Sequence, residues 1–204
     1  TAELTHDDSH GASPSTAKFG MIMFLISEAM LFAGLIITYM VLRIGHPGDW
    51  PPAEAPDIGL QFPPTVLNWV MIINSFILIG SSFTFHMVEV AVKKKGKSGI
   101  LPLIVTIILG SIFLGVQAWE WAHLHHEGLW FDTFGIYGSC FFVTTGFHGM
   151  HVFVGLLLLV WCLLRQVFTN CFTQQRHIAL DNVGMYWHFV DAVWILVYTI
   201  FYII

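Results

Sequence analysis

Inside or beside the apolar spans of this chain a histidine repeatedly stands three positions from another residue able to ligate a metal or carry a proton. Such pairs are His86/Glu89, Glu120/His123, His148/His151 and His188/Asp191, and Glu28 is a further acid in apolar surroundings. Three positions is close to one helical turn, so each pair shares a helix face. An ionised side chain at mid-bilayer costs about 2.5–3.5 kcal/mol or more, so such residues face protein and mark function. They could hold a metal, move protons, or hold helices together.

The elements that position them follow from composition. The 204 residues are 56% hydrophobic and only 10% charged, with a mean hydropathy of +0.73. A soluble domain carries about a quarter charged residues. The chain therefore reads as an all-α integral membrane protein. A net charge of −5 and one short lysine run leave no basic face for nucleic acid. Five stretches supply the roughly 20 apolar residues a helical span needs: about 18–43, 65–92, 99–124, 134–166 and 178–204. Residues 1–17, with Glu3, His6, Asp7, Asp8 and His10, read as a solvated polar tail without a signal-peptide pattern. Residues 18–204 then form one five-helix domain. Pro47, Pro51, Pro52, Pro56, Pro63 and Pro64 crowd the first loop, and Pro102 opens the third span, where a missing N–H costs little. Cys140, Cys162 and Cys171 form no CxxC pattern, and the two in apolar spans read as small buried hydrophobes.

Basic residues set the expected topology. Lys18 precedes the first span, Lys93, Lys94, Lys95 and Lys97 join the second and third, and Arg165 and Arg176 flank the fourth loop. An inside N-terminus and an outside C-terminus put all of these on the cytoplasmic side and leave only Arg43 outside. Trp50, Trp69, Trp121 and Trp130 would then form an outer aromatic belt.

Depth separates the polar pairs. At 1.5 Å per residue, Glu28 lies about 15 Å beyond Lys18, His188 and Asp191 about 18 and 22 Å from Arg176, and His151 and His148 about 21 and 25 Å from Arg165. Glu89 and His86 lie within roughly 10 Å of Lys93, whereas Glu120 and His123 fall near the outer surface. Only Glu28, His148, His151, His188 and Asp191 can converge. Three histidines and two carboxylates could ligate a metal. They could equally form a hydrogen-bond network that makes their burial tolerable, His188 satisfying Asp191 while His148 and His151 bond neighbouring helices. The network is favoured. Glu120-x-x-His123 has the form of a di-iron ligand pair, but that chemistry needs a second such motif and two more glutamates at one depth. The run His123, His125, His126 is a single histidine box, better explained as a solvated outer loop. Gly110, Ser111, Gly115, Gly146, Gly149, Gly155, Ala29 and Ala33 cluster near the polar positions, and small residues let helix backbones approach.

Several segments together resemble a known family. Tyr186-Trp187-His188-Phe189-Val190-Asp191-Ala192-Val193-Trp194 is similar to a signature of subunit III of haem-copper terminal oxidases. Tyr137-Gly138-Ser139, Thr145-Gly146-Phe147-His148-Gly149-Met150-His151-Val152 and Leu164-Arg165-Gln166 add to the match. So do Ser27-Glu28-Ala29-Met30-Leu31-Phe32 and Leu114-Gly115-Val116-Gln117-Ala118-Trp119-Glu120-Trp121. The resemblance implies an accessory chain of a proton-pumping cytochrome c oxidase in a bacterial plasma (inner) membrane. Such a chain has no catalytic residue, cofactor or metal of its own; haem and copper lie on subunits I and II, its partners. It holds phospholipids, supports proton uptake and durable turnover, and can enter a respiratory supercomplex. On this reading Glu28 is the family's buried carboxyl, Lys18 and Arg165 meet lipid headgroups, and His148, His151, His188 and Asp191 form the intramembrane network. Lysine at position 18, where arginine is more usual, would grip phosphate less bidentately. Longer relatives have two more helices before the first span, so their wall of the lipid cleft must come from another chain or be absent. Quinol-oxidising relatives also have five helices, so the electron donor stays open, as does the role of Asp181, where relatives often carry glutamate. A stand-alone membrane metalloenzyme is the rival reading.

Overall fold

The computed structural model describes residues 14–46, 48, 69–94, 99–126, 128–131, 135–173 and 176–203. Its described residues form five long helices and no strand: α1 (Pro14–Gly45), α2 (Trp69–Lys93), α3 (Ile100–His126), α4 (Gly135–Thr169) and α5 (Ile178–Tyr198). All five are long and apolar enough to cross a membrane. Helix α1 begins at Pro14, earlier than expected, with a proline in the first turn, where its missing N–H breaks no intrahelical bond. Helix α4 runs for 35 residues, about 52 Å at 1.5 Å per residue, so it must tilt or project beyond a hydrocarbon core of about 30 Å. The rest of the expected tail, Trp50, Lys95 and Lys97 lie outside the described residues.

Lipid removes the solvent penalty that sorts apolar side chains in water, so the bundle is held by close packing and by polar pairs. Helix α5 packs on α1, α2 and α4, while α3 bridges α2 and α4. Trp187 of α5 is fully buried, and its ring lies against the backbones of α3 and α4. A Cβ added at Gly110 or at Gly155 would come within 2.8 Å of that ring. Its indole N–H donates to Ser81 Oγ of α2 at 3.0 Å, so one side chain joins four helices. Two more bonds clasp α2 to α3. Asn74 Nδ2 donates to the Phe113 carbonyl at 3.2 Å, and the Thr84 and Thr106 hydroxyls meet at 2.8 Å.

Not every small residue serves such packing. A Cβ at Gly115 would meet nothing within 4 Å, and the exposed Ser111 bonds back to its own helix. Ala29 and Ala33 line an apolar groove of about 370 Å³ between α1 and α5. Trp69 is exposed as an interfacial belt requires, whereas Trp121 turns inward, its ring 5.2 Å from that of Phe142.

Gly155→Leu should therefore destabilise the bundle by about 1–3 kcal/mol through overpacking against Trp187, measured by unfolding in detergent micelles. Gly115→Leu, facing open space, should leave stability unchanged.

Candidate functional site

The mid-membrane quintet divides into three separate arrangements. In the first, Glu28 of α1 meets His151 of α4, with Oε2 3.0 Å from Nε2. The other ring nitrogen, Nδ1, lies 2.7 Å from the Phe147 carbonyl. A carbonyl only accepts, so Nδ1 carries hydrogen and donates to it. One proton is then shared across the Nε2–Oε2 contact, either as an acid facing a neutral ring or as an ion pair. Phe32 places its ring edgewise at 5.0 Å, and the Tyr186 hydroxyl donates to the His151 carbonyl at 3.0 Å. The pair couples α1 to α4 and α5.

In the second, Ser82 of α2 stands between two residues of α5. Its Oγ lies 2.9 Å from His188 Nδ1 and donates to Asp191 Oδ2. His188 and Asp191 were expected to satisfy one another; they meet instead through this hydroxyl. Three positions on a helix bring side chains alongside without making them touch, and a serine on the next helix closes the gap. Asp191 Oδ1 has no partner among the described residues.

His148 stands alone. It is fully buried, and neither ring nitrogen has a partner among the described residues. Its ring sits 4.8 Å from that of Trp194 and 6.0 Å from that of Phe113. The expected bond from His148 to a neighbouring helix is therefore not found, and the residue packs as an aromatic ring between α3 and α5. Among the described residues no three His, Cys, Asp or Glu side chains are placed to hold one metal ion. Cys140, Cys162 and Cys171 are free thiols.

The end of the bundle carrying Lys18, Lys93, Arg165 and Arg176, here the basic end, holds a charge cluster that spacing did not reveal. Asp181, in the first turn of α5, receives Lys93 Nζ at 2.7 Å and Lys18 Nζ at 3.1 Å, with His177 at 3.8 Å. Lys93 also reaches Glu89 at 3.2 Å, and His86 lies 3.6 Å from Glu89. The acid whose role stayed open thus pins α1 and α2 to α5.

Arg165 and Arg176 flank a pocket of about 440 Å³, lined also by Thr169, Asn170, Cys171 and Thr173. Buried Gln166 braces that loop: Nε2 donates to Asn170 Oδ1 and Oε1 accepts the Phe172 N–H, both at 2.9 Å. Asn170 adopts φ 46°, a left-handed conformation suited to ending α4. The Arg165 guanidinium lies 5.6 Å over the Trp161 ring.

The far end adds a contact that depth alone did not reveal. Glu120, near the end of α3, is buried, accepting from Gln117 Nε2 at 2.9 Å and from the Tyr202 hydroxyl at 2.8 Å. The one available signal was Gln117, three residues earlier on the same face. His123 instead stacks on Trp119 at 5.6 Å, and His125 meets Trp130 edgewise at 4.5 Å.

These contacts fix a testable coupling. A double-mutant cycle of Glu28→Gln with His151→Leu should give an interaction energy of about 0.6–1.7 kcal/mol in micelle unfolding. The same cycle with His148→Leu should give none, because His148 does not touch the carboxyl.

A family model described as cytochrome c oxidase subunit III matches residues 2–204. Cytochrome c oxidase subunit 3 of Thermostichus vulcanus is 38% identical over 192 residues, covering 94% of this chain and 89% of that protein. The subunit of the same name from a Synechocystis species is 36% identical, covering 96% and 78%. That of Struthio camelus is 36% identical, covering 91% and 68%. With a matching model along nearly its whole length and five helices able to span a membrane, the chain belongs to the cytochrome c oxidase subunit III family.

Proposed function

We propose that this chain is an accessory subunit of a proton-pumping oxidase, holding phospholipid and supporting proton uptake and the stability of the catalytic subunit. It carries no redox centre on this reading; haem and copper belong to subunits I and II. The Arg165–Arg176 pocket carries the lipid part of the proposal. Two guanidinium groups beside hydroxyl and amide side chains suit a phosphate, which takes paired N–H donors from arginine. Lys18 spends one contact on Asp181, yet its side chain stays 46% exposed, and an ammonium has three hydrogens to give. It can therefore hold α1 to α5 and meet a headgroup together.

The basic end faces the cytoplasm in this proposal, following the positive-inside rule. The cluster of Lys18, Glu89, Lys93 and Asp181 then lies where protons enter the membrane. The Glu28–His151 pair and the Ser82-bridged His188 and Asp191 act as positioning contacts, joining α1 to α4 and α2 to α5. Cytochrome c is taken as the electron donor because the matched relatives are named for it, over the quinol donor that five helices alone would also allow. The location proposed is the bacterial plasma membrane, in a multi-subunit complex that can join a supercomplex.

Arg165→Ala should lower the phospholipid that co-purifies with the oxidase and shorten its active lifetime while changing initial turnover little. Lipid mass spectrometry and a turnover time course measure both. Normal lipid content with a normal lifetime would make Arg165 a topology residue only.

A further inference from the structure

Glu120 and Gln117 each leave one oxygen without a partner among the described residues, although the two residues are only 6% and 4% exposed. Their other atoms are tied together. Gln117 Nε2 donates to Glu120 Oε2 at 2.9 Å, and the Tyr202 hydroxyl donates to that same oxygen at 2.8 Å. One carboxyl oxygen therefore takes two donors while Oε1 takes none. An ionised carboxylate carries its charge on both oxygens, and burying it demands donors at both. A neutral carboxylic acid matches the pattern. Its carbonyl oxygen accepts, and its hydroxyl oxygen holds a hydrogen to give. Gln117 Oε1 is an acceptor on the side chain already bonded to Glu120, and it has no partner among the described residues.

We propose that Glu120 and Gln117 form a neutral acid–amide pair, Glu120 Oε1–H donating to Gln117 Oε1, and that this pair latches the end of α5. The object latched is the turn that follows α5, a π-helical segment Thr199–Ile203. Such turns are rare and recur at functional sites because they shift side-chain register. Here the shift aims Tyr202 at Glu120 of α3. The neighbouring Phe201 ring lies 4.2 Å from that of Tyr39 on α1, and the Phe201 carbonyl accepts from the Tyr137 hydroxyl of α4 at 3.5 Å. One neutral pair thus fixes the point where α1, α3, α4 and α5 meet. The other titratable groups facing it are Tyr198, stacked on Tyr202 at 5.1 Å, and Tyr137, which in turn faces Arg43. The inference does not depend on the role proposed for the basic end.

Glu120→Gln separates a neutral acid from a carboxylate. The new amide can accept from Gln117 and Tyr202 through its oxygen and donate to Gln117 Oε1 through its nitrogen. In the assembled oxidase, this variant should release the subunit at the wild-type temperature, whereas Glu120→Leu should release it earlier. Infrared spectra should show a protonated-carboxyl C=O band in the wild type that Glu120→Gln removes. Early release of Glu120→Gln, or its failure to assemble, would overturn the proposal, since it would show that a charge is needed. An unchanged C=O region would overturn it too, by showing an ionised carboxylate with some other donor, such as water, between the oxygens. If Glu120→Leu cannot assemble, the spectral comparison of wild type with Glu120→Gln still decides.

Discussion

Everything in this bundle depends on how α5 is seated. Between lipid-facing helices apolar contact has little water to escape, so association rests on close approach and on polar groups that find partners. Trp187 supplies both. Glycines at 110 and 155 let α3 and α4 come up to its ring, and its N–H is satisfied by Ser81 on α2. Once that ring is seated, Ser82 falls beside His188 and Asp191 at the next turn, and Trp194 reaches Ser75 Oγ at 2.9 Å. At the basic end the same helix offers Asp181 to Lys18 and Lys93.

The polar residues lie in levels along this axis, and each level joins a different set of helices. Charges pair at the basic end, where water lowers the cost of ions. Toward mid-depth the partners are a histidine with an acid, and a serine hydroxyl with both a histidine and an acid. A carboxyl with amide and phenol donors closes the far end. At every level burial makes an unpaired polar group costly, and a partner on another helix offsets that cost.

Much of this was legible in the sequence. Five apolar runs gave five helices, because span length and composition act locally and need no knowledge of partners. Depth counting separated the outer and inner pairs from the middle for the same reason. Partner choice was not legible. Ser82 is an ordinary serine until α2 lies against α5, and Asp181 shows its two lysines only when the start of α1 and the end of α2 come to its level. His148 and His151 share a spacing but not a fate, since one faces Glu28 and the other faces Phe113 and Trp194. The burial of Glu120 was not legible, because counting residues gives depth along a helix and not the side it faces.

A chain built this way has many contacts that hold helices together, and among the described residues its histidines and acids form no set placed to hold a metal ion. The role proposed for it is to keep a neighbouring catalyst working. The most direct measurement compares turnover of the purified oxidase with and without this subunit, followed from the first seconds to inactivation. The predicted result is an initial rate largely kept, with a much shorter active lifetime after removal. Immediate loss of oxygen reduction in an otherwise intact complex would contradict it, and would place part of the chemistry on this chain.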